Sequence, residues 1–188
     1  HFSKSILEAL REPLEDNKIL ISRVNSKTMY ETKFIFIAAM NPCPCGNLLS
    51  SLKECRCNEL EIQRYKNRLS EPFLDRIDLY VVINDSINDN KNIVTSKELH
   101  ENVIKAFIKQ KSRNQKELNG KLSEEEIKKY CILDKEATLI LEKARLNYQL
   151  SFRSINKVLK VARTIADLND NEIISKNDLL QSLNFRRR

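Results

Sequence analysis

The stretch Phe34-Ile-Phe-Ile-Ala-Ala-Met-Asn-Pro-Cys-Pro-Cys-Gly46 constrains this chain more than any other. Its opening run, residues 34–40, is unbroken apolar sequence with aromatic and β-branched side chains, which predicts a buried strand. The run stops at Asn41-Pro42, a strong turn signal. Open α/β sheets place ligand-reading groups at the ends of buried strands, and Asn41 is the polar side chain that leaves this one. Cys43 and Cys45 follow at once, and Cys55 and Cys57 come soon after.

The sequence before this stretch leads into it. Ile6, Leu7, Leu10 and Leu14 recur at helical spacing over residues 3–16, and Pro13 predicts a kink or an early end there. Residues 18–24 and 28–34 read as strands around Asn25, Ser26 and Lys27, a hairpin with Arg23 and Lys27 near its tip. The ordinary reading of that pair is solvated charge on a sheet edge. After the cysteines, residues 58–69 predict an amphipathic helix capped by Asn58. Residues 79–83 predict a second buried strand, and the Asn/Asp-rich stretch 84–92 is the best linker.

From Thr95 the pattern turns helical, with helices expected over 96–115, 124–130, 135–148, 152–168 and 176–183. Ser123 with Glu126 fits a capping box, and Asp134, Ser151 and Ser175 are suitable N-caps. In the helix over 152–168, Ile155, Val158, Leu159, Ala162 and Ile165 form a core-facing stripe. Arg153, Lys157, Lys160 and Arg163 are expected to share its remaining surface. The organisation expected is therefore an α/β part over 1–84, a linker over 85–94 and an all-α module over 95–188.

Composition bounds the function. A chain of 188 residues with 41% hydrophobic and 31% charged residues fits a soluble globular protein. No apolar run approaches the roughly 18 residues a membrane span requires, so no membrane partner is expected and the cytoplasm is the expected location. The chain opens on His1 rather than Met, which reads as a piece of a longer protein. A formal net charge of +7 fits either solvated lysines or a polyanionic partner.

Five cysteines in a cytosolic chain read as thiols or metal ligands, and two histidines are too few for a His-rich centre. Cys43, Cys45, Cys55 and Cys57 form C-x-C…C-x-C. Four thiolates close a tetrahedral Zn²⁺ site, although C-x₂-C is the commoner spacing. The alternative is two reduced cysteine pairs in a loop. Cys131, between Tyr130 and Ile132, reads as a core residue.

Four segments together resemble a known family: Ile6-Leu-Glu-Ala-Leu-Arg-Glu-Pro-Leu-Glu15, Ala38-Ala-Met-Asn-Pro-Cys-Pro-Cys-Gly46, Leu74-Asp-Arg-Ile-Asp-Leu79 and Val161-Ala-Arg-Thr-Ile-Ala-Asp-Leu168. They are similar to the magnesium-chelatase-like AAA+ ATPases of bacteria, and within these to the competence-associated branch described as DNA branch-migration helicases. The resemblance runs from about residue 2 to the end. It implies the C-terminal part of an AAA+ P-loop core, with a hairpin before the first sensor, followed by a helical lid. The family's phosphate-binding loop, Gly-x-x-x-x-Gly-Lys-Ser/Thr, is absent: neither Gly46 nor Gly120 forms it. The acidic strand end that holds Mg²⁺ is missing too, so this chain alone is expected to be catalytically inactive.

What the resemblance implies for single residues is specific. Asn41 matches the sensor that reads the γ-phosphate or orients the attacking water. Arg76 matches the arginine finger, which acts on a neighbouring subunit's nucleotide. Arg153 matches the lid's second sensor, which touches the subunit's own nucleotide. A surface salt bridge is the ordinary alternative for each arginine. Arg23 and Lys27 match the hairpin that faces DNA in the central channel of related ring helicases. The implied full-length protein uses ATP and Mg²⁺, forms a ring, expected to be a hexamer, and moves DNA. One alternative is the motor subunit of a metal chelatase, with the same engine driving magnesium insertion into a tetrapyrrole. Another is a non-enzymatic, zinc-stabilised binding module.

Overall fold

The computed structural model describes residues 2–83 and 94–186. Over these the chain is mixed helix and strand. It divides into two compact units, residues 2–77 with 82–83, and residues 78–81 with 94–186. The stretch expected to be a linker lies almost wholly outside the described residues. No described helix is long and apolar enough to cross a membrane.

The first unit opens on two short helices, α1 (Lys4–Ala9) and α2 (Arg11–Asp16). Pro13 explains the break. It has no N–H to donate to the carbonyl four residues back, so a helix running unbroken through it would lose that bond and meet a steric clash. The chain interrupts the helix at Leu10 and restarts with Pro13 in the first turn of α2, where a missing N–H does little harm. Asn17 then ends α2 in the left-handed region at φ 53°, a conformation Asn tolerates.

The predicted hairpin is present as β1 (Lys18–Arg23) and β2 (Ser26–Glu31), paired antiparallel from Lys18↔Glu31 to Arg23↔Ser26. Its turn is Val24-Asn25, earlier than the expected Asn25, Ser26 and Lys27, because Ser26 and Lys27 belong to the ladder. Lys27 lies opposite Ser22, and Arg23 lies opposite Ser26. Successive residues of a strand point to opposite faces, so Arg23 and Lys27 stand on opposite faces of the ribbon. Ile19 is the one paired residue that is even partly buried. The base of the hairpin is tied to α2: Thr32 donates its N–H to the Asn17 carbonyl at 2.8 Å and its hydroxyl to the Pro13 carbonyl at 2.9 Å.

The two buried strands expected at 34–40 and 79–83 are corrected by the structure. Neither joins a ladder among the described residues. Ile35 and Ile37 are 89% and 88% exposed, and Ile83 is 85% exposed. Apolar sequence makes a strand only where neighbouring strands take up its backbone N–H and C=O groups. Here no ladder forms: residues 79–83 make one cross-chain bond, Tyr80 N–H to the Phe185 carbonyl at 2.8 Å, and neither run pairs with a strand among the described residues. Phe36 is the partly buried member of its run, packing edge-on against buried Phe73 with ring centroids 6.2 Å apart.

Beyond the cysteines come α3 (Glu59–Lys66) and α4 (Glu71–Leu74). The expected Asn58 cap is present as a full capping box with Glu61, and Ser70 caps α4.

The second unit contains α5 (Ser96–Ser112), α6 (Glu124–Tyr130), α7 (Lys135–Asn147), α8 (Phe152–Leu168) and α9 (Lys176–Asn184), with a 3-10 turn at Asn119–Lys121. The predicted caps Ser123, Asp134, Ser151 and Ser175 each accept a first-turn N–H. Helix α5 stops short of Gln115, with Asn114 in the left-handed region at φ 55°. The core gathers on α8: Val158, Ala162 and Ala166 are fully buried against Leu122, Ile127, Ala137, Ile174 and Leu179. Cys131 belongs to that core as expected, and burial pushes its thiol up to about 11. A parallel bridge between Leu133 and Ile174 pins the α6–α7 loop to the α8–α9 loop.

Arg163, expected on the surface of α8, is fully buried. It donates to Asp167 one turn later, at 3.1 Å from Nε and 2.8 Å from Nη2, and to the carbonyls of Asn171 and Glu172. A buried guanidinium is tolerable only when it is paired and hydrogen-bonded in this way.

Candidate metal centre and phosphate-reading residues

The cysteine loop folds around a turn in which Gly46 donates its N–H to the Cys43 carbonyl at 3.1 Å. Gly46 sits at φ +82°, which strains any residue with a Cβ. The loop as a whole brings both close pairs together: the Sγ atoms of Cys43, Cys45, Cys55 and Cys57 all lie within 4.8 Å of one another. Cys43 Sγ is 3.4 Å from Cys45 Sγ and 3.7 Å from Cys55 Sγ, and Cys45 Sγ is 3.6 Å from Cys55 Sγ. These separations exceed a disulfide bond, and all four thiols are free. A tetrahedral Zn²⁺ with Zn–S bonds of about 2.3 Å holds its sulfurs about 3.8 Å apart, close to what is observed.

Electrostatics points the same way. The backbone N–H groups of Asn47 and Arg56, helped by the Cys43 thiol, draw Cys45 down to about 6. The Cys45 N–H favours a Cys57 thiolate, but burial and the neighbouring thiols outweigh it and push Cys57 up to about 12. One thiolate forms readily in this cluster and further ones repel it. A cation bound among the four sulfurs removes that repulsion, so the donor set fits a closed Cys₄ metal site. C-x-C pairs supply it because the loop supplies the convergence.

Asn41 is exposed and stands over the same turn, where a Cβ added at Gly46 would lie 3.7 Å from its Nδ2. The residue expected to read phosphate therefore adjoins the cysteine loop. Arg76 follows α4 and folds back into its own unit. Its Nη2 is 2.6 Å from Glu15 Oε2 on α2, and its Nη1 donates to the Pro72 carbonyl at 2.6 Å. Arg153 is exposed, in the first turn of α8 in the second unit. Arg23 and Lys27 are exposed on the hairpin.

Two family profiles match consecutive parts of the chain. One, described as magnesium chelatase, subunit ChlI, matches residues 1–91, and the other, the C-terminal part of the same subunit, matches residues 94–186. The chain belongs to the magnesium-chelatase-like family. Among relatives, it is 38% identical over 190 residues to competence protein ComM of Haemophilus influenzae, covering 98% of this chain and 37% of that protein. It is 38% identical to YifB of Salmonella typhimurium and 34% identical to YifB of Escherichia coli, over 193 residues each, with the same coverage. The chain thus spans 37% of the length of the curated relatives it matches.

Within this magnesium-chelatase-like chain, the structure gathers the four cysteines and sets Asn41 beside them. It also pairs Arg76 with Glu15, a partner that sequence reading missed. Glu15 and Arg76 are far apart in the chain, and no local pattern links one acidic residue on a helix to one arginine beyond the next helices. Gly46 was the one residue with a local signal, a glycine closing a Cys-Pro-Cys run.

Proposed function

We propose that this chain is the C-terminal part of a magnesium-chelatase-like AAA+ ATPase, a cytoplasmic, ring-forming motor driven by ATP that acts on DNA in branch migration or unwinding. Membership of the family supports an ATPase. The likeness to a competence protein over nearly the whole chain supports the DNA branch. The observation that carries the DNA reading is the hairpin. Both of its faces are exposed, a cation stands near the tip on each, and the chain carries a net charge of +7. A ribbon with cations on both faces suits a polyanion that surrounds or passes it.

In this reading, residues 95–186 act as the lid of the nucleotide site. Asn41 orients the attacking water or reads the γ-phosphate with its amide. Arg76 supplies a permanently charged fork to a neighbouring subunit's triphosphate, and Arg153 reaches the nucleotide of its own subunit. Mg²⁺ bound with ATP supplies charge neutralisation at the phosphates. The residues that hold it are assigned to a phosphate-loop segment outside this sequence. The four cysteines hold one Zn²⁺ that fixes the loop behind Asn41.

The test is phosphate release by a full-length protein carrying this chain, with and without DNA, beside this chain alone. DNA-stimulated turnover by the full-length protein and silence from the chain alone support the reading. Robust turnover by the chain alone would overturn the assignment of its motifs. A second reading, a chelatase motor driving magnesium into a tetrapyrrole, is favoured by the family description itself. ATP turnover indifferent to DNA but stimulated by a tetrapyrrole-binding partner would select it.

A further inference from the structure

We infer that Glu15 is a positioning residue for Arg76, setting the guanidinium so that one edge stays available to a phosphate group. This rests on the reading of Arg76 as a residue that acts on phosphate. Three observations carry it. The Arg76 side chain is 15% exposed and Glu15 is 23% exposed, so the pair is mostly shielded from water. A shielded pair of this kind is screened far less than a surface salt bridge. The guanidinium is pinned at two points by groups from different helices: the Glu15 carboxylate on α2 and the Pro72 carbonyl on α4.

The third observation is the state of Nε. It is buried and has no hydrogen-bond acceptor among the described residues. Arg11 Nε, in the Glu8 pair, is in the same state, so the unmet donor marks a tightly pinned guanidinium rather than a role by itself. Here the pinning fixes the terminal nitrogens at the expense of Nε. A guanidinium carries five N–H bonds in a rigid fork, two of them on each terminal nitrogen. With one from each committed to Glu15 and Pro72, each terminal nitrogen keeps a second, and that pair is what a phosphate engages.

Glu15 also rides on the element that carries the hairpin. Helix α2 runs through Asn17 into β1, and Thr32 clamps the base of β2 to Pro13 and Asn17. The counter-ion of Arg76 is therefore attached to the hairpin's root rather than to the loop that holds Arg76.

The experiment compares Glu15→Gln, Glu15→Asp and Arg76→Ala in the full-length protein. Expected for Glu15→Gln is a fall in kcat of roughly tenfold or more, with ATP affinity within about twofold of wild type, the pattern of a group needed in the transition state. Glu15→Asp keeps the charge but shortens the reach, and should recover part of the loss at an unchanged melting temperature. In rings mixed with subunits that cannot bind ATP, the defect should follow the subunit donating Arg76. Arginine-selective labelling of this chain by phenylglyoxal gives a readout free of activity: Arg76 should react several-fold faster in either variant, as its pinning loosens.

The outcomes separate the two readings. If Arg76→Ala turns over like wild type, the role of Arg76 falls and this inference falls with it. If Arg76→Ala is dead while Glu15→Gln and Glu15→Asp are unimpaired, only the positioning role is overturned. Equal damage in both subunits of a mixed ring, or unchanged labelling of Arg76, overturns it as well. Should Glu15→Gln fail to fold, Glu15→Asp and the labelling decide.

Discussion

Arg163 and Asp167 form a fully buried ion pair one turn apart on α8, with Nη2 and Oδ1 separated by 2.8 Å. Asp167 also takes both terminal nitrogens of Arg113 and the Nδ2 of Asn119. The carboxylate thus ties α8 to the end of α5 and to the turn at Asn119. Burial opposes its charge, but hydrogen bonds from Arg113 and Asn119 and the Arg163 charge outweigh burial and hold its pKa below the ordinary 3.8.

Asp167→Asn removes the charge and leaves a buried guanidinium without its counter-ion. Breaking a buried pair in this way typically costs about 3–5 kcal/mol. Denaturant titration of this chain, followed by far-UV circular dichroism, should show the helical transition moving to lower denaturant by a corresponding amount. The Asp167→Asn, Arg163→Met double change should recover part of the loss, because it removes both charges.

Acid should act through the same carboxylate. Asp178 belongs with it: burial opposes its charge too, yet Ser175, Asn169 and Asn171 donate to it and keep its pKa below 3.8. Both groups have folded pKa values below their unfolded ones. Their contribution is therefore complete above the unfolded value near pH 4 and is lost as pH falls through the folded values. A pH series of melting temperatures should be flat with respect to these groups above about pH 5 and fall steeply below about pH 4. Asp167→Asn should flatten that fall.

The cysteine loop should carry about one Zn²⁺ per chain in elemental analysis of untagged protein, as a closed Cys₄ site requires. Cys55→Ser with Cys57→Ser should abolish the metal and lower the melting temperature of the first unit. Chelator treatment of the wild type should reproduce the loss, and added Zn²⁺ should reverse it. Unchanged metal content and melting in the double variant would rule the centre out.

Arg76→Ala in the full-length protein should reduce turnover by about 10³ to 10⁵, the usual contribution of an arginine finger, and leave ATP binding nearly intact. Nucleotide binding and phosphate release measured on the same preparation check it. A parallel fall in ATP affinity would instead place Arg76 in its own subunit's site.

The hairpin makes a prediction that depends on its register. Replacing both Arg23 and Lys27 by Ala should reduce the log–log salt slope of DNA binding by about two if both contact phosphates. Because they occupy opposite faces, the single variants report separately on the two faces. A duplex or strand lying along one face should leave one single variant with the wild-type slope. Parallel lines with equal intercepts for the double variant would remove DNA from the hairpin altogether.

The sequence by itself determined what is settled within a few residues. Helix α6 and α8 begin and end where the pattern placed them, because a capping side chain and its first-turn N–H are neighbours in the chain. The break at Leu10 is legible for the same reason, since Pro13 removes a bond to its own preceding turn. The four cysteines were legible as candidate ligands, but their convergence is set by the folded path of the loop between residues 43 and 57. Tertiary structure alone decided the rest. Residues 34–40 and 79–83 have strand composition, yet a strand exists only where a neighbour runs alongside in a repeating ladder, and the single bond from Tyr80 to Phe185 is not one. Arg163 looked like a surface residue because its spacing on α8 says nothing of the carbonyls of Asn171 and Glu172 that fold over it. Glu15 found Arg76 because packing of α2 near α4 brings opposite charges together in a shielded place, and charge attraction over such a distance in sequence leaves no periodic trace.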